Sequence, residues 1–354
     1  MNLLKCYCFL GVLILSCSAL AQTACQFDAV KFDAGFPGGR LSTCNYLEGN
    51  KYQLLITPAF TPVNPSAWYA FKVTSKNTDT IELEIHFDSG FARYSPKVTR
   101  DKVDWYAIPY NKTEQSISFV LETQAGQPVY VSAQPILTNE YYETWLEENS
   151  MSSSVDLLTL GATQKGNLIK ALDINPGNKN LLMVIGRQHP PEITGAKALE
   201  SFIGRILESD KLSNKFRDEV NIVVIPQVNP DGVEEGFWRH NYKGVDLNRD
   251  WHNRTQMETQ LIHDFIQERI KGGQKLIFAL DFHSTNRNVY YTMPAEMDLD
   301  MGSLTQDWLT KLAHRIPFRV ENSPNSRLRI LIYVNTHTGE CEHPDSPALG
   351  SVPF

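Results

Sequence analysis

Two textures of hydrophobic and polar positions divide the chain. From Cys25 to about Pro135, short runs of alternating character (Tyr52–Thr57, Ala67–Val73, Thr80–Phe87, Ser116–Leu121 and Pro128–Ala133) are separated by turn residues. A period of two at this spacing fits half-buried strands, so an antiparallel β-sandwich without long helices is expected there. An acidic aromatic segment with helical spacing, Asn139–Asn149, marks the change of texture. Beyond it, unbroken apolar runs at Leu181–Gly186, Asn221–Pro226 and Lys275–Phe282 alternate with amphipathic stretches at Ala196–Leu207, Thr259–Ile270 and Ser303–His314. Continuous apolar strands between helices are buried on both faces, which predicts a mostly parallel sheet in an α/β/α arrangement. The fold class expected is therefore α/β, with a sandwich over residues 24–137 followed by a second domain over residues 138–354.

Composition agrees with two globular domains: 354 residues, 42% apolar and 21% charged. The first 21 residues stand apart from the fold. Met1–Lys5 is a short basic start, Phe9–Leu15 an apolar run, and Ala19-Leu20-Ala21 a small-x-small cleavage site, which together read as a secretory signal peptide. The run is too short for a membrane span, which needs about 20 apolar residues. Cleavage after Ala21 would leave 354 − 21 = 333 residues and, with Lys5 gone, take the formal charge from −7 to −8. An acidic exported chain argues against a nucleic-acid partner. The expected location is secreted or periplasmic, with lipid attachment at Cys17 of Leu15-Ser16-Cys17 as the lesser alternative. Cys25 and Cys44, nineteen apart, could then close a disulfide, while Cys341 has no evident partner.

In a parallel sheet, ligands bind outside the carboxyl ends of the strands. Three polar clusters fall there: Arg187–Glu192 after Gly186, Asn229–Gly232 after Pro226, and Asp281–Ser284 after Leu280. His189 and Glu192, with two prolines stiffening the turn between them, can aim an imidazole and a carboxylate at one point. His283 would complete two histidines and a glutamate with a fourth position open, the composition of a catalytic zinc site. The HxxE spacing is a weak signal by itself in a chain with nine His and 40 acidic residues. Between these clusters, the loop Phe237–Trp251 brings Arg239, Asp246, Asn248 and Arg249 together, and planar guanidinium forks suit the free carboxylate of a peptide. By composition alone, a solvated salt-bridged loop is the plainer alternative.

Taken in order, His189-x-x-Glu192, Asn229-Pro-Asp-Gly232, Arg239, Asp246-Leu-Asn248-Arg249-x-Trp251 and His283-Ser284 resemble the zinc metallocarboxypeptidases. The likeness is to the cytosolic-carboxypeptidase-like branch and its bacterial secreted relatives, which carry a β-sandwich ahead of the catalytic domain. It extends to about Ser326. The resemblance implies one Zn²⁺ per chain on His189, Glu192 and His283, and Arg239 polarising the scissile carbonyl and holding the oxyanion. It implies Asn248 and Arg249 on the substrate's terminal carboxylate, with Asp246 hydrogen-bonded to His189 from behind. Asp250 is left unassigned. The implied activity is hydrolysis of C-terminal residues from peptide or protein C-termini by metal-activated water.

The family's general-base Glu, set in a Thr-x-Glu-x-Gly-like context, is not found among the 354 − 283 = 71 residues after His283. Glu340 and Glu342 lack its neighbours, so the second domain is expected to be altered or truncated at its C-terminus by a frame slip near Ser326. Two alternatives follow from this gap and from related folds: a catalytically impaired zinc- and peptide-binding protein, or a zinc deacylase of N-acyl amino acids. Reading the coding sequence in its other two frames downstream of Ser326 is expected to recover a Thr-x-Glu-x-Gly-like segment. Its absence from both frames would sink the frame-slip idea.

Overall fold

In a computed structural model of the protein, residues 24–61, 65–285, 289–292, 302–313, 319–322 and 330–335 are described. The leader over residues 1–21, the junction near Ser326, and Glu340, Cys341 and Glu342 lie outside them.

Eleven strands come first: β1 (Ala24–Gln26), β2 (Val30–Asp33), β3 (Thr43–Glu48), β4 (Lys51–Ile56), β5 (Ala70–Ser75), β6 (Asp79–Phe87), β7 (Lys97–Thr99), β8 (Tyr106–Ala107), β9 (Asn111–Lys112), β10 (Ser116–Thr123) and β11 (Pro128–Ser132). They form two sheets, ordered β1-β2-β5-β11-β7-β8 and β3-β4-β6-β10-β9. Alternate residues of each sheet, such as Phe32, Phe71 and Val131 on one and Leu54, Ile85 and Ile117 on the other, point into a shared core. This is the expected sandwich with one departure. β4 and β6 pair in parallel, from Lys51 opposite Glu82 to Ile56 opposite Phe87. Period-two alternation reports which face a residue takes and carries no information on strand direction. Cys25 and Cys44 form a disulfide that links β1 of one sheet to β3 of the other.

Helix α1 (Asn139–Asn149) follows, capped by the Thr138 hydroxyl on the Tyr141 N–H. The second unit then runs through β12 (Val155–Ala162), β13 (Leu168–Ile174), β14 (Asn180–Gly186), α2 (Ile193–Leu207), α3 (Lys211–Glu219), β15 (Asn221–Ile225), α4 (Pro230–Glu234), α5 (Met257–Lys271), β16 (Lys275–Thr285), β17 (Val289–Thr292), α6 (Gly302–Ala313), β18 (Arg319–Asn322) and β19 (Ile330–Asn335). Eight strands make one sheet in the order β12-β13-β15-β14-β16-β19-β17-β18. The central strands β15, β14, β16 and β19 are parallel, as the unbroken apolar runs predict. The β12–β13 hairpin adds an antiparallel edge that those runs do not reveal. One face packs Leu182, Val184, Ile222 and Leu280 under Leu199 and Ile203 of α2, and the other packs Met183, Ile185 and Val223 under Ile262 and Ile266 of α5. No helix among the described residues is long and apolar enough to cross a membrane.

Asp250 has a structural position. Its carboxylate accepts the Thr255 N–H at 2.9 Å and hydroxyl at 2.6 Å, and the Gln256 N–H at 2.9 Å, along with the Thr259 hydroxyl. These bonds fasten the entry to α5. Burial alone would raise its pKa, but the donors outweigh burial and hold it below the usual carboxylate value. A depressed folded-state pKa means the stabilisation is present above the unfolded-state pKa and is lost as pH falls through the folded one. Replacing Asp250 by Ala is expected to cost about 2–3 kcal/mol near neutral pH, read from urea unfolding, and the difference from wild type is expected to shrink in acid. Equal stability of the two proteins at pH 7 would contradict this.

Candidate metal centre

The site forms where β14 and β16 end. After Gly186 the chain turns sharply at Arg187, which takes a left-handed φ of 53°. The buried Arg187 guanidinium is held by the Tyr142 hydroxyl at 3.2 Å and the Leu137 carbonyl at 3.4 Å. This turn delivers Gln188 and His189, and Pro190 and Pro191 lead into α2 with Glu192 as its capping residue. β16 runs on past the expected end, to Thr285, because Leu280–Thr285 pair with Ile330–Asn335. Asp281 and His283 are two apart on this strand and share a face, while Ser284 points the other way, towards α2.

Gly195 makes the meeting of α2 with β16 feasible. A Cβ there would stand 2.6 Å from the His283 carbonyl oxygen, and the Gly195 N–H donates to the Ser284 hydroxyl at 2.8 Å. Only a residue without a side chain lets the first turn of α2 lie against the His283 backbone.

His189, Glu192 and His283 converge: one ligand atom from each lies within 4.8 Å of the others. The two Glu192 oxygens meet His189 Nδ1 at 2.9 Å and His283 Nδ1 at 2.8 Å. Behind the imidazoles stand two more carboxylates, Asp246 at 3.1 Å from His189 Nε2 and Asp281 at 2.9 Å from His283 Nε2. An Nε2–H donated to each of these acids leaves Nδ1 of both rings turned to the shared point, an assignment that follows from the partners. Burial would lower the pKa of His283, but Asp281 and Glu192 on either side overrule it and push it up to about 10. Burial would raise that of Glu192, yet its two histidine neighbours hold it well below the carboxylate range. Asp246 is likewise held down against burial, by His189, Arg239 and Arg249. Two imidazoles amid three carboxylates form a donor set suited to a divalent cation, and its composition fits zinc.

The remaining candidates join this core through Asp246. Arg239 Nε donates to Asp246 Oδ2 at 2.6 Å, and the Asn248 N–H donates to Asp246 Oδ1 at 3.0 Å. Arg249 Nη1 donates to the Asn248 carbonyl at 3.1 Å. Asn229 ties loops together, its side-chain amide donating to the Gln188 carbonyl at 3.0 Å and the His240 carbonyl at 3.1 Å while its oxygen caps α4 at the Gly232 N–H, 2.9 Å away. Sequence reasoning missed Asp281 as a partner of His283, although a D-x-H pair on one strand face was available as a signal. It also missed Gln188, whose amide donates to Asp281 and accepts the Trp251 indole N–H at 2.8 Å. No general-base Glu is assigned among the described residues.

Residues 142–327 match the Peptidase M14 family, zinc carboxypeptidase. An uncharacterised protein of Zymomonas mobilis is 24% identical over 264 residues, covering 72% of this chain and 67% of that one. Cytosolic carboxypeptidase 6 of Caenorhabditis elegans is 24% identical over 254 residues, 62% of this chain and 54% of that one. The chain thus spans about two thirds of the first relative's length and about half of the second's. Among solved structures, the metallo-carboxypeptidase of Burkholderia cenocepacia superposes with a TM-score of 0.71 at 18% identity over 87% of this chain and 90% of that one. That of Pseudomonas aeruginosa, in complex with (2-guanidinoethylmercapto)succinic acid, gives 0.68 at 19% over 86% and 89%. At these identities the likeness is one of fold.

His189→Ala is expected to abolish stoichiometric zinc binding, and Asp281→Ala to weaken it about 10- to 100-fold by freeing the His283 ring. Elemental analysis and competition with a chelating dye read both, and unchanged zinc content in His189→Ala would remove the metal assignment.

Proposed function

The chain belongs to the zinc carboxypeptidase family, and from that premise we propose that it is a zinc-dependent metallocarboxypeptidase that removes residues from peptide or protein C-termini. The observation that carries this reading is the continuity of the site. Asp246 is bonded at once to His189 in the metal centre and to Arg239 in the adjoining arm. In this reading His189, Glu192 and His283 would hold one Zn²⁺ per chain, which would supply Lewis acidity and acidify a water near neutral pH. Asp246 and Asp281 keep both rings aimed at that point. Arg239 engages Asp246 through Nε, so its terminal nitrogens can donate to a carbonyl oxygen as negative charge develops on it. Asn248 and Arg249 would take the terminal carboxylate.

We further infer two separate units, a sandwich over residues 24–137 and a catalytic unit over 138–354. The absence of any strand shared between the two described groups of sheets supports this. The secreted or periplasmic location stands as part of the proposal, supported by the Cys25–Cys44 disulfide, a bond that persists in oxidising compartments.

The zinc-loaded chain is expected to release C-terminal residues from peptides with a free carboxylate and to spare the same peptides as amides. Arg239→Ala is expected to lower kcat/KM about 10²- to 10³-fold. Binding of free-carboxylate peptides without release would favour the zinc- and peptide-binding reading instead. Cleavage confined to acyl amino acids would favour the deacylase.

A further inference from the structure

Arg239, Asp246, Asn248 and Arg249 all sit on one loop, Gly236–Arg249, whose only regular structure is the short turn Leu247–Arg249. Such a loop is placed by what its side chains pack against, and much of that belongs to the sandwich. Just before it, the Glu234 carbonyl accepts the Gly38 N–H at 2.9 Å. The Trp238 indole N–H donates to the Tyr94 hydroxyl at 3.1 Å, and the Arg93 guanidinium lies 5.6 Å from the centre of the Trp238 ring. Phe60, 37% exposed, lays one side of its ring against the loop. Its ring meets His240 at 4.8 Å and Phe237 at 5.9 Å, both near edge-on. Gly244, at φ 77°, lies so close that a Cβ would stand 2.8 Å from Phe60 Cδ1.

The two ends of this packing bracket the functional groups. Phe237 and His240 on Phe60 enclose Arg239, and Gly244 on Phe60 closes the tight turn Asn241–Val245 that leads directly into Asp246. From the catalytic side, the Asn229 amide holds the His240 carbonyl, and Asn241 is tied to Gln256 at 3.0 Å and Glu258 at 3.1 Å. Phe60 is therefore the sandwich's support at the middle of the loop, beside the Tyr94 and Arg93 contacts that hold Trp238 at its start.

We propose that the sandwich is a working part of the substrate arm, with Phe60 as the positioning residue that fixes where Arg239 and Asp246 stand. This rests on reading Arg239, Asn248 and Arg249 as the arm that receives the peptide's end. A guanidinium displaced by even about 1 Å from its target can cost a large part of the rate, so a ring that touches no substrate can still control capture. His189 follows β14, Glu192 caps α2 and His283 stands on β16, elements set by the sheet core, so zinc stoichiometry at saturating metal is expected to survive displacement of the arm even though Asp246 joins the two.

The test uses the full zinc-loaded chain. In Phe60→Ala, zinc stoichiometry is expected to hold while KM for a free-carboxylate peptide rises about tenfold. Amide hydrogen exchange is expected to accelerate across residues 236–250 and to stay unchanged across 180–186. Phe60→Tyr, which restores the ring, is expected to return both readouts to wild type. Tyr94→Phe removes one hydroxyl and moves both in the same direction by a smaller amount, about two- to threefold, which keeps the question open to measurement if Phe60→Ala fails to fold. Unchanged exchange across 236–250 in Phe60→Ala, or in Tyr94→Phe where the former does not fold, would overturn the proposal. So would a loss of zinc equal to the loss of peptide capture. If the wild-type chain cleaves nothing, the carboxypeptidase reading falls, and the exchange measurement still decides the role of Phe60.

Discussion

Burying charge is the constraint that organises this protein. Two imidazoles and three carboxylates stand together in largely buried positions, where an unpaired ion is far more costly than in water. Every one of them has a hydrogen-bond partner: Glu192 both rings, Asp246 His189 and Arg239, Asp281 His283. Remove one member and its neighbour is left as a buried polar or charged group without its partner. The elements around the cluster are arranged to keep those pairs intact, from the left-handed turn at Arg187 to the close approach of Gly195 to β16.

The sheet supplies rigidity and its termini supply chemistry. β14 and β16 are neighbours in the parallel centre, so residues just past the end of one and at the end of the other fall side by side. That places His189 and His283 with ring centres 4.9 Å apart although they are far apart along the chain. Glu192 closes the set because α2 begins there and must pack back over the sheet through Leu199 and Ile203.

Much of this was legible in the residues. Unbroken apolar runs at Leu181–Gly186 and Lys275–Phe282 announce strands buried on both faces, and Asn139–Asn149 is the helix that its spacing indicates. His189, Glu192 and His283 are brought together, as their places at strand ends suggest. What was not legible depends on three-dimensional neighbours. The parallel pairing of β4 with β6 leaves the alternation of Thr80–Phe87 unchanged, so no pattern could announce it. Gly195 reads as an unremarked helix interior residue until the backbone of β16 is seen beside it. Phe60 reads as a stray aromatic in a turn until His240 and Gly244 are found against its ring. Asp250, unassigned from its sequence context, takes its role from Thr255 and Thr259, residues whose hydroxyls a linear reading has no cause to single out.

The sharing of Asp246 between His189 and Arg239 carries a thermodynamic corollary. Any ligand that draws the Arg239 guanidinium away from Asp246 leaves more of that carboxylate's charge for the imidazole, and a more basic imidazole is a better metal donor. Linkage then makes the exchange symmetrical: the factor by which a bound peptide tightens the metal equals the factor by which the metal tightens the peptide. On the carboxypeptidase reading, metal and peptide affinity would thus be two readings of one coupled equilibrium, with a single carboxylate as the hinge between them.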